Sequence, residues 1–339
     1  MRSPAFWWEK PGVAAALLAP LAWIYASVAA RRLARPGDRV GVPVICVGNP
    51  TVGGAGKTPA AIAIARLLIA AGERPMFLSR GYGGRLGGDR LGGDRLGGPV
   101  MVEAAHSAAD VGDEPLLLAR IAPAVVARDR LAGARLAIRN GASVLVMDDG
   151  FQNPSLTKDF SVLMIDGARG IGNGHVIPAG PLRAPLAPQL ARASALMFVG
   201  ASADSTPLEH AAGVARFDAA LEPDSATVKS LAGKKVLAFA GIGNPEKFFA
   251  TLAAAGIEAP IRRGFADHHR YTAGEAAALV AEAKANNLQL LTTEKDLARL
   301  DASLGPLASQ AQALPVELKV RQADEFKQAL LAACRVKPA

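Results

Sequence analysis

The segment that most constrains the fold is a glycine-rich stretch, residues 51–58, which ends in Lys57 and Thr58. An apolar run, residues 42–47, precedes it, and an apolar segment without helix breakers, residues 60–71, follows it. This order of strand, loop and helix predicts a phosphate-binding loop, because glycines allow consecutive N–H groups to point at one anion at the positive end of a helix. Lys57 is expected to reach the β- and γ-phosphates of a nucleotide, and the Thr58 hydroxyl to contribute to a Mg²⁺ site.

The first position of this loop is unusual, because the common pattern opens with glycine and Thr51 stands there instead. The alternative is a glycine-rich turn that a lysine follows by chance. The strand before the loop and the helix after it favour the phosphate loop. The candidate nucleotide-binding residues are Thr51, Val52, Gly53, Gly54, Ala55, Gly56, Lys57 and Thr58.

Two acidic residues follow another predicted strand. Residues 143–147 are largely apolar and lead directly into Asp148 and Asp149. Ligands bind at the carboxyl ends of strands in open α/β sheets, so we expect this pair at the same sheet edge as the loop. A phosphate loop needs an acid that holds Mg²⁺, and two acids suggest that one serves the metal and the other the nucleophile. The alternative is a turn that ends the strand.

The residues alone leave the role of two further acidic segments undecided. Asp113 and Glu114 precede a short apolar helix, where two carboxylates can cap the helix or serve catalysis. Asp267 precedes His268, and such a pair can orient an imidazole or lie in a surface turn. Residues 293–296, Thr-Glu-Lys-Asp, are similar to the base-reading motif of GTPases, but its asparagine is missing and the spacing differs.

The composition limits the class of protein. Half of the 339 residues are hydrophobic, which is ample for two domains, and apolar strands alternate with alanine-rich helices, which predicts an α/β fold. The formal net charge of +8 suggests an anionic partner. Aromatic residues make up only 5% and do not alternate with basic ones, so we expect no nucleic-acid partner. Two cysteines without a CxxC motif argue against a disulfide framework and a zinc site.

The N-terminal region predicts a membrane-associated helix. Residues 11–30 carry no charge and would form a helix about 30 Å long, which matches the thickness of a bilayer core. Trp23 and Tyr25 are residue types that favour the membrane interface, and arginines follow the apolar run. Positive charge after the run argues against a signal peptide and predicts that the following domain stays in the cytoplasm. A buried helix of a soluble protein is the alternative, and both a full span and an interfacial helix fit this composition.

These segments belong to a longer series of motifs that runs through most of the chain. The series comprises residues 47–59, 79–84, 112–115, 148–152, 178–183, 240–245, 267–268 and 293–296. In this order it closely resembles the tetraacyldisaccharide 4′-kinase family, the lipid A 4′-kinases of Gram-negative bacteria. Thr51 in place of the first glycine is a trait of that family, so it now favours the resemblance.

The resemblance implies ATP- and Mg²⁺-dependent phosphoryl transfer to the 4′-hydroxyl of a tetraacylated glucosamine disaccharide 1-phosphate, which gives lipid IVA. It implies a P-loop kinase-like α/β/α lobe, a second smaller α/β/α lobe and a membrane-associated N-terminal helix, with the active site in the cleft. We expect residues 1–38 to form the membrane-associated helix, residues 39–225 the nucleotide-binding lobe with a small β linker near its end, and residues 226–339 the C-terminal lobe. The expected partners are the lipid disaccharide and the cytoplasmic face of the inner membrane, and the chain is expected to be a monomer.

The resemblance also assigns roles to individual residues. The aspartate at the place of Asp113 is the family's base, and the histidine at the place of His268 supports it. Asp148 resembles the acid on the metal side, and Asp149 is a neighbour that competes for the base role. The expected catalytic residues are Asp113, His268, Lys57 and Asp149, and the expected metal ligands are Thr58 and Asp148.

Two positions depart from the family pattern, since Asn153 replaces the usual histidine and Ala184 the usual glutamate. They are the only hints of a non-catalytic relative that binds nucleotide as a scaffold. A membrane-tethered phosphate-loop NTPase that switches a partner is the other alternative, and the missing GTPase asparagine argues against it. The repeated Arg-Leu-Gly-Gly-Asp within residues 85–94 is a glycine-rich insertion to which we assign no chemistry.

Overall fold

The chain forms two β-sheets in the computed structural model, which describes residues 3–86, 98–200, 208 and 213–335. The described strands are β1 (Val44–Gly48), β2 (Pro75–Ser79), β3 (Val100–Met101), β4 (Ala124–Val126), β5 (Val144–Asp148), β6 (Phe160–Asp166), β7 (Ala195–Val199), β8 (Ala215–Pro223), β9 (Lys235–Ala240), β10 (Glu258–Gly264), β11 (Gln289–Thr293), β12 (Gln312–Leu314) and β13 (Val316–Val320). One sheet has the strand order β13-β8-β7-β6-β1-β5-β2-β4-β3, and the other has the order β10-β9-β11-β12.

Helices cover both sheets. The described α-helices are α1 (Val13–Ala34), α2 (Lys57–Ala70), α3 (Ala108–Val111), α4 (Asp113–Ala119), α5 (Arg130–Arg139), α6 (Leu186–Leu190), α7 (Ser225–Ser230), α8 (Pro245–Ala254), α9 (Ala273–Ala285), α10 (Glu294–Leu297), α11 (Pro306–Gln310) and α12 (Ala323–Arg335), with short 3-10 helices at Ala5–Trp8 and Ala302–Leu304.

The centre of the large sheet is buried on both faces. Strand β1 lies between β5 and β6 and is parallel to both. Every residue of β1 and of β5 is buried, as expected for parallel strands that helices cover on two sides. Ile64 of α2 and Phe326 of α12 belong to the apolar cluster on one face, and Ala134 of α5 belongs to the cluster on the other. This double cover explains why the strands are apolar throughout instead of alternating.

The strand order opens a crevice at the carboxyl ends of β1 and β5. The chain leaves β1 through α2 and reaches β2 on the far side of β5, whereas it leaves β5 towards β6 on the far side of β1. Connections that diverge in this way create the ligand crevice of open α/β sheets. Val47 of β1 pairs in register with Asp148 of β5, so the glycine-rich loop and the acidic pair start side by side.

The second lobe is built on the four-stranded parallel sheet. Phe248 of α8 packs in the cluster on one face of this sheet, and Leu279 of α9 in the cluster on the other. Its strand β11 runs directly into α10, the short helix that carries Lys295 and Asp296. The carboxyl ends of β9 and β11 therefore deliver loops towards the first lobe.

The last segment of the chain returns to the large sheet. Strand β13 pairs antiparallel with β8, and α12 buries Phe326 and Leu330 in the large lobe. These elements fall within residues 226–339, which we expected to form the C-terminal lobe. The reason is that β13 pairs with the open edge of β8. Val316 and Pro223 are partners in this pairing, although 92 residues lie between them in the sequence. The domain boundaries as a whole stay a prediction.

The expected N-terminal apolar helix is present as α1. Among the described residues it is the one helix long and apolar enough to cross a membrane. Leu17 and Trp23 expose 76% and 72% of their surface, whereas Ala15 and Ala22 are buried. Only 11% of the most apolar part of α1 is buried, so α1 is not the buried core helix that the sequence left as the alternative.

Candidate active site

Two residues of the glycine-rich loop lie in the backbone region that glycine favours. Gly53 and Gly56 have φ angles of 106° and 81°, which L-residues rarely adopt, and Gly56 precedes the first residue of α2. Lys57 Nζ lies over the loop, where it donates to Asn49 Oδ1 at 3.1 Å and to the Gly53 carbonyl at 3.3 Å. The Val52 N–H donates to the Pro181 carbonyl at 2.9 Å, so the proline-rich segment braces the loop from outside.

Thr58 and Asp148 form a buried oxygen pair beside the loop. The Thr58 hydroxyl donates to Asp148 Oδ2 at 3.0 Å, and Asp148 Oδ1 has no hydrogen-bond partner within the described part of the chain. Burial, together with the charges of Glu114 and Asp149, raises the pKa of Asp148 to about 7. A carboxylate of this kind is stabilised by a cation.

Asp149 turns away from this pair. Its φ of 54° is uncommon for a residue with a side chain and is typical of functional turns. Its Oδ1 accepts from Arg183 Nη1 at 2.8 Å and lies 3.8 Å from Lys57 Nζ. Burial opposes ionisation of Asp149, but Lys57 and Arg183 outweigh it and lower the pKa. Burial lowers the pKa of Lys57, which Asp149 partly offsets.

Asp113 faces the second lobe from the first turn of α4. Gly112 precedes it with a φ of 89°, and a Cβ there would lie 2.7 Å from the Tyr82 carbonyl, so only glycine fits. The Asp113 carboxylate is buried and accepts from Arg299 Nε at 3.0 Å and from Arg299 Nη2. The described hydrogen bonds of this carboxylate thus reach the other lobe, which distinguishes Asp113 from an ordinary helix cap.

His268 meets Asp113 from the second lobe. Its Nδ1 lies 3.5 Å from Asp113 Oδ1, its φ is 54°, and its ring packs edge-on against Tyr82 at 5.2 Å between centroids. The hydrogen bond to Asp113 raises the pKa of His268 against the effect of burial. Burial would raise the pKa of Asp113, but the His268 hydrogen bond and the Arg299 charge hold it well below its usual range.

A second ion pair crosses the cleft next to this one. Lys295 Nζ donates to Glu114 Oε1 at 2.6 Å. Burial would lower the pKa of Lys295, but Glu114 and Asp113 raise it, which keeps the ammonium charged. Because the charges of Glu114 and Lys295 also act on Asp148, the acidic pair and the cross-lobe contacts belong to one electrostatic neighbourhood.

Comparison with known proteins decides the family. Residues 14–335 match the family model described as LpxK, tetraacyldisaccharide-1-P 4′-kinase. A tetraacyldisaccharide 4′-kinase of Rhodopseudomonas palustris (strain BisB18) is 55% identical over 304 residues, which cover 88% of this chain and 86% of the relative. The chain belongs to the tetraacyldisaccharide 4′-kinase family.

Another member of the tetraacyldisaccharide 4′-kinase family, from R. palustris (strain BisB5), is 51% identical over 98% of this chain and 96% of its own length. The crystal structure of LpxK from Aquifex aeolicus in complex with ATP matches with a TM-score of 0.73 and 27% identity, over 94% of this chain and 99% of that one. The predicted family, α/β fold class and kinase function are thereby confirmed. Family membership also favours the kinase over the switch and scaffold alternatives.

The two departures from the family pattern lie in packed surroundings. Asn153 Oδ1 accepts from the Ser155 N–H at 2.8 Å and so shapes a local turn. Ala184 is buried, and its carbonyl accepts from Gln189 Nε2 at 2.8 Å. Gln189 is itself held by Gln152 at 3.0 Å, so a hydrogen-bonded network occupies the region behind Ala184.

The structure brings the predicted residues into two groups. Lys57, Thr58, Asp148 and Asp149 meet at the crevice of the large sheet, and Asp113 meets His268 across the lobes. Sequence reasoning assigned no role to Arg299. The sequence feature that could have indicated Arg299 is its position one helical turn after Lys295, which places the two basic residues on one face of the segment.

Proposed function

We propose that this cleft transfers the γ-phosphate of ATP to the 4′-hydroxyl of a tetraacyldisaccharide 1-phosphate and so forms lipid IVA. The observation that carries the proposal is that the glycine-rich loop with Lys57 lies beside the Thr58–Asp148 pair in one buried crevice. The names of the relatives support the acceptor, and the A. aeolicus protein, which was crystallised with ATP, supports the nucleotide.

The loop holds the nucleotide in this proposal. The N–H groups of residues 53–58 and the ammonium of Lys57 neutralise the charge of the triphosphate. Phosphoryl transfer depends mainly on positioning and on charge neutralisation, so these contacts supply most of the rate. Gly53, Gly54, Ala55 and Gly56 contribute through the backbone, which is why small residues fill this part of the loop, and Val52 fixes the start of the loop through its hydrogen bond to Pro181.

Thr58 and Asp148 are the residues that would hold Mg²⁺. Mg²⁺ prefers oxygen ligands and binds through one or two carboxylates together with substrate phosphates. The unpartnered Asp148 Oδ1 beside the Thr58 hydroxyl fits this chemistry, and the described residues contain no larger cluster of His, Cys, Asp and Glu. When bound, Mg²⁺ supplies positive charge at the β- and γ-phosphates.

Asp113 takes the proton of the sugar hydroxyl in this proposal. The acceptor oxygen forms a bond to the γ-phosphorus as the bond to the bridging oxygen breaks, and ADP leaves. Asp113 Oδ1 faces His268, whereas Oδ2 is bound to Arg299, so Oδ1 is the oxygen that receives the proton. Asp149 is the weaker candidate, because Arg183 and Lys57 already share its Oδ1.

The test is transfer of radiolabelled γ-phosphate to a tetraacyldisaccharide 1-phosphate in detergent micelles, with wild type and Asp113→Ala side by side. Mg²⁺-dependent formation of a bisphosphorylated lipid that the substitution abolishes is the expected result. Transfer that survives Asp113→Ala moves the base role to Asp149, for which Asp149→Asn is the next variant. ATP binding without any transfer by the wild type contradicts the proposal and favours the alternative of a non-catalytic scaffold that binds nucleotide.

Helix α1 is proposed to bind the protein to the cytoplasmic face of the inner membrane, where it acts as a monomer. The exposed apolar side chains of α1 and the arginines at its end suit an anionic bilayer surface. Trp7 Nε1, in the short 3-10 helix that precedes α1, donates to the Pro178 carbonyl at 2.9 Å, which connects this N-terminal region to the segment that braces the loop. The membrane contact would therefore keep the cleft near its lipid substrate.

Vesicle flotation with anionic lipids tests this part. We expect Leu17→Glu combined with Leu21→Glu to release the protein from the vesicles. Ile69→Glu is the matched control, because Ile69 is also exposed and apolar but lies on α2. Equal binding of both variants contradicts the assignment, and light scattering of the detergent-solubilised protein checks the monomer.

A further inference from the structure

Arg299 lies one residue beyond the end cap of α10 and is fixed within its own lobe. Its side chain is only 7% exposed. Nη1 donates to Asp296 Oδ1 at 2.9 Å and to the Gly241 carbonyl at 2.7 Å. The guanidinium is therefore held in one orientation before it contacts the other lobe, which limits the side-chain entropy that this contact loses.

The anchor of Arg299 is itself held from three directions. Asp296 is fully buried and accepts from the Tyr271 hydroxyl at 2.9 Å, from the Gly241 N–H at 2.9 Å and from the Thr293 hydroxyl at 2.7 Å. These donors come from the loop after β9, the loop before α9 and the end of β11. Because each belongs to a different segment of the second lobe, Arg299 is fixed relative to that lobe as a whole.

The free side of the guanidinium reaches across the cleft to a single atom. Nε and Nη2 both donate to Asp113 Oδ2, which leaves Oδ1 turned towards His268 Nδ1 at 3.5 Å. Arg299 Nη2 also lies 3.5 Å from His268 Nδ1. Asp113 and His268 are thus both contacted by the same arginine, which aligns them.

We propose that Arg299 is a positioning residue for the phosphoryl transfer, which aligns Asp113 with His268 when the two lobes come together. It transfers no proton and contacts no reacting atom. Asp113 belongs to the first lobe and His268 to the second, so the pair exists only while the lobes are closed, and Arg299 provides the cross-lobe contact with two donors. This inference rests on the proposed role of Asp113 as the base.

The neighbouring cross-lobe pair provides the contrast. Lys295 and Glu114 also bridge the lobes, but Glu114 is not a candidate base and Lys295 binds through a single ammonium. The charged groups that act on Asp113 are Arg299, His268 and Lys295 from the second lobe, and Glu114 of its own helix is bound by Lys295. Arg299 is the one of these that forms two hydrogen bonds to the carboxylate, so its removal affects both geometry and charge at Asp113.

The experiment measures kcat, KM for ATP and the pH dependence of kcat/KM for Arg299→Ala and Arg299→Lys. We expect Arg299→Ala to lower kcat by about a hundredfold, because a shift of about 1 Å in a catalytic group has that effect. KM for ATP stays unchanged, and the acid limb of the profile moves to higher pH, because Asp113 loses a neighbouring cation. Arg299→Lys keeps the charge, so its acid limb stays near that of the wild type while kcat remains reduced.

Two additional measurements separate positioning from general structural support. Methylguanidinium added to Arg299→Ala is expected to restore part of the rate, because it can occupy the vacated place. Arg263→Met is the matched control, since Arg263 binds Glu282 on the exposed surface of the same lobe, and it leaves kcat and the pH profile unchanged. Tyr271→Phe weakens the anchor without touching Asp113, and we expect a several-fold loss in kcat.

Wild-type kcat and an unchanged pH profile in Arg299→Ala, with Asp113→Ala inactive, overturn this inference and leave the base assignment intact. A loss of kcat without a shift in the profile and without rescue also overturns it, since Arg299 is then only a structural bridge. If Arg299→Ala does not fold in a thermal melt, Arg299→Lys decides, and wild-type kcat in that variant counts against positioning. Full activity of Asp113→Ala refutes the base role itself.

Discussion

The two sides of the cleft are assembled in different ways. The loop side, which we define as Lys57, Thr58 and Asp148, comes from two adjacent strands of one sheet, whose residues Val47 and Asp148 pair in register. The base side, which we define as Asp113, His268 and Arg299, comes from two lobes, and its central contact joins residues 186 positions apart. The loop side is therefore a local property of one sheet edge, whereas the base side depends on how the lobes meet.

This difference separates two tasks of a kinase. In the proposed mechanism the loop side needs no second lobe in order to bind phosphate, because strand, loop and helix build it as one unit. In the same mechanism the base side is complete only when the lobes are closed, which would couple the acceptor hydroxyl to closure and to the exclusion of water. Substitutions on the two sides should consequently differ in what they change.

The largest effect is expected from Lys57→Met on the loop side. Loss of the ammonium at the phosphates should lower kcat/KM on the order of a thousandfold, because charge neutralisation supplies much of the rate. Initial rates of phosphate transfer check this value. Lys235→Met serves as the control, because Lys235 is an exposed partner of Glu258. A Lys57→Met enzyme with the wild-type rate would remove the loop from the mechanism.

Asp148→Asn should weaken the same side through the metal. We expect the Mg²⁺ concentration for half-maximal activity to rise by about 10- to 100-fold, as substitutions near metal ligands commonly do. A Mg²⁺ titration at saturating ATP measures it. Asp166→Asn is the control, since Asp166 also ends a strand of the large sheet but pairs with Lys247. Identical titrations of Asp148→Asn and wild type would show that Asp148 is not a ligand.

The ion pair that bridges the lobes next to the base side should contribute measurably to the free energy of unfolding. A double-mutant cycle of Lys295→Ala and Glu114→Ala, scored by the free energy of unfolding, is expected to give a coupling of about 1–2 kcal/mol, because the pair is half-buried. The exposed pair of Lys235 and Glu258 should give less than about 1 kcal/mol in the same measurement. Equal couplings would mean that the lobes meet without help from Lys295.

The smallest effect concerns His268 and pH. Its pKa is raised above the ordinary value of about 6.5 by Asp113, so the protonated form stabilises the folded protein. This contribution is fully present below about pH 6.5 and is lost as the pH rises through the higher pKa of the folded state. We expect the difference in Tm between wild type and His268→Gln to shrink over that range. An Asp113→Asn background should remove the trend, and its persistence there would exclude Asp113 as the cause.

The loop side was largely predictable, and the base side was not. A strand, a glycine-rich turn and a helix are adjacent in sequence, so Lys57 and Thr58 could be assigned from local pattern alone. Asp148 followed from a later buried strand, because parallel strands end at one edge. Asp113 had an equally good interpretation as a helix cap, and only the resemblance to a family shifted the preference. In the tertiary structure Asp113 accepts hydrogen bonds from Arg299 of the other lobe, which a residue that only caps a helix would not do.

The elements that sequence reasoning overlooked share one physical cause. Arg299 follows Lys295 by one helical turn, but nothing within this segment indicates that its partner lies on α4. Strand β13 and helix α12 return to the large sheet, although their position in sequence placed them with the second lobe. In both cases the partner is distant along the chain, and local periodicity carries no information about it.

By itself the sequence determined the α/β class, the glycine-rich loop between a strand and a helix, the acids at the end of β5 and the apolar N-terminal helix. Each of these depends on residue spacing within one short segment, where backbone geometry and burial act directly. The tertiary structure alone decided that Asp113 is bound to Arg299, that His268 faces it and that β13 completes the large sheet. Such contacts arise from the packing of two lobes, which depends on the whole chain at once.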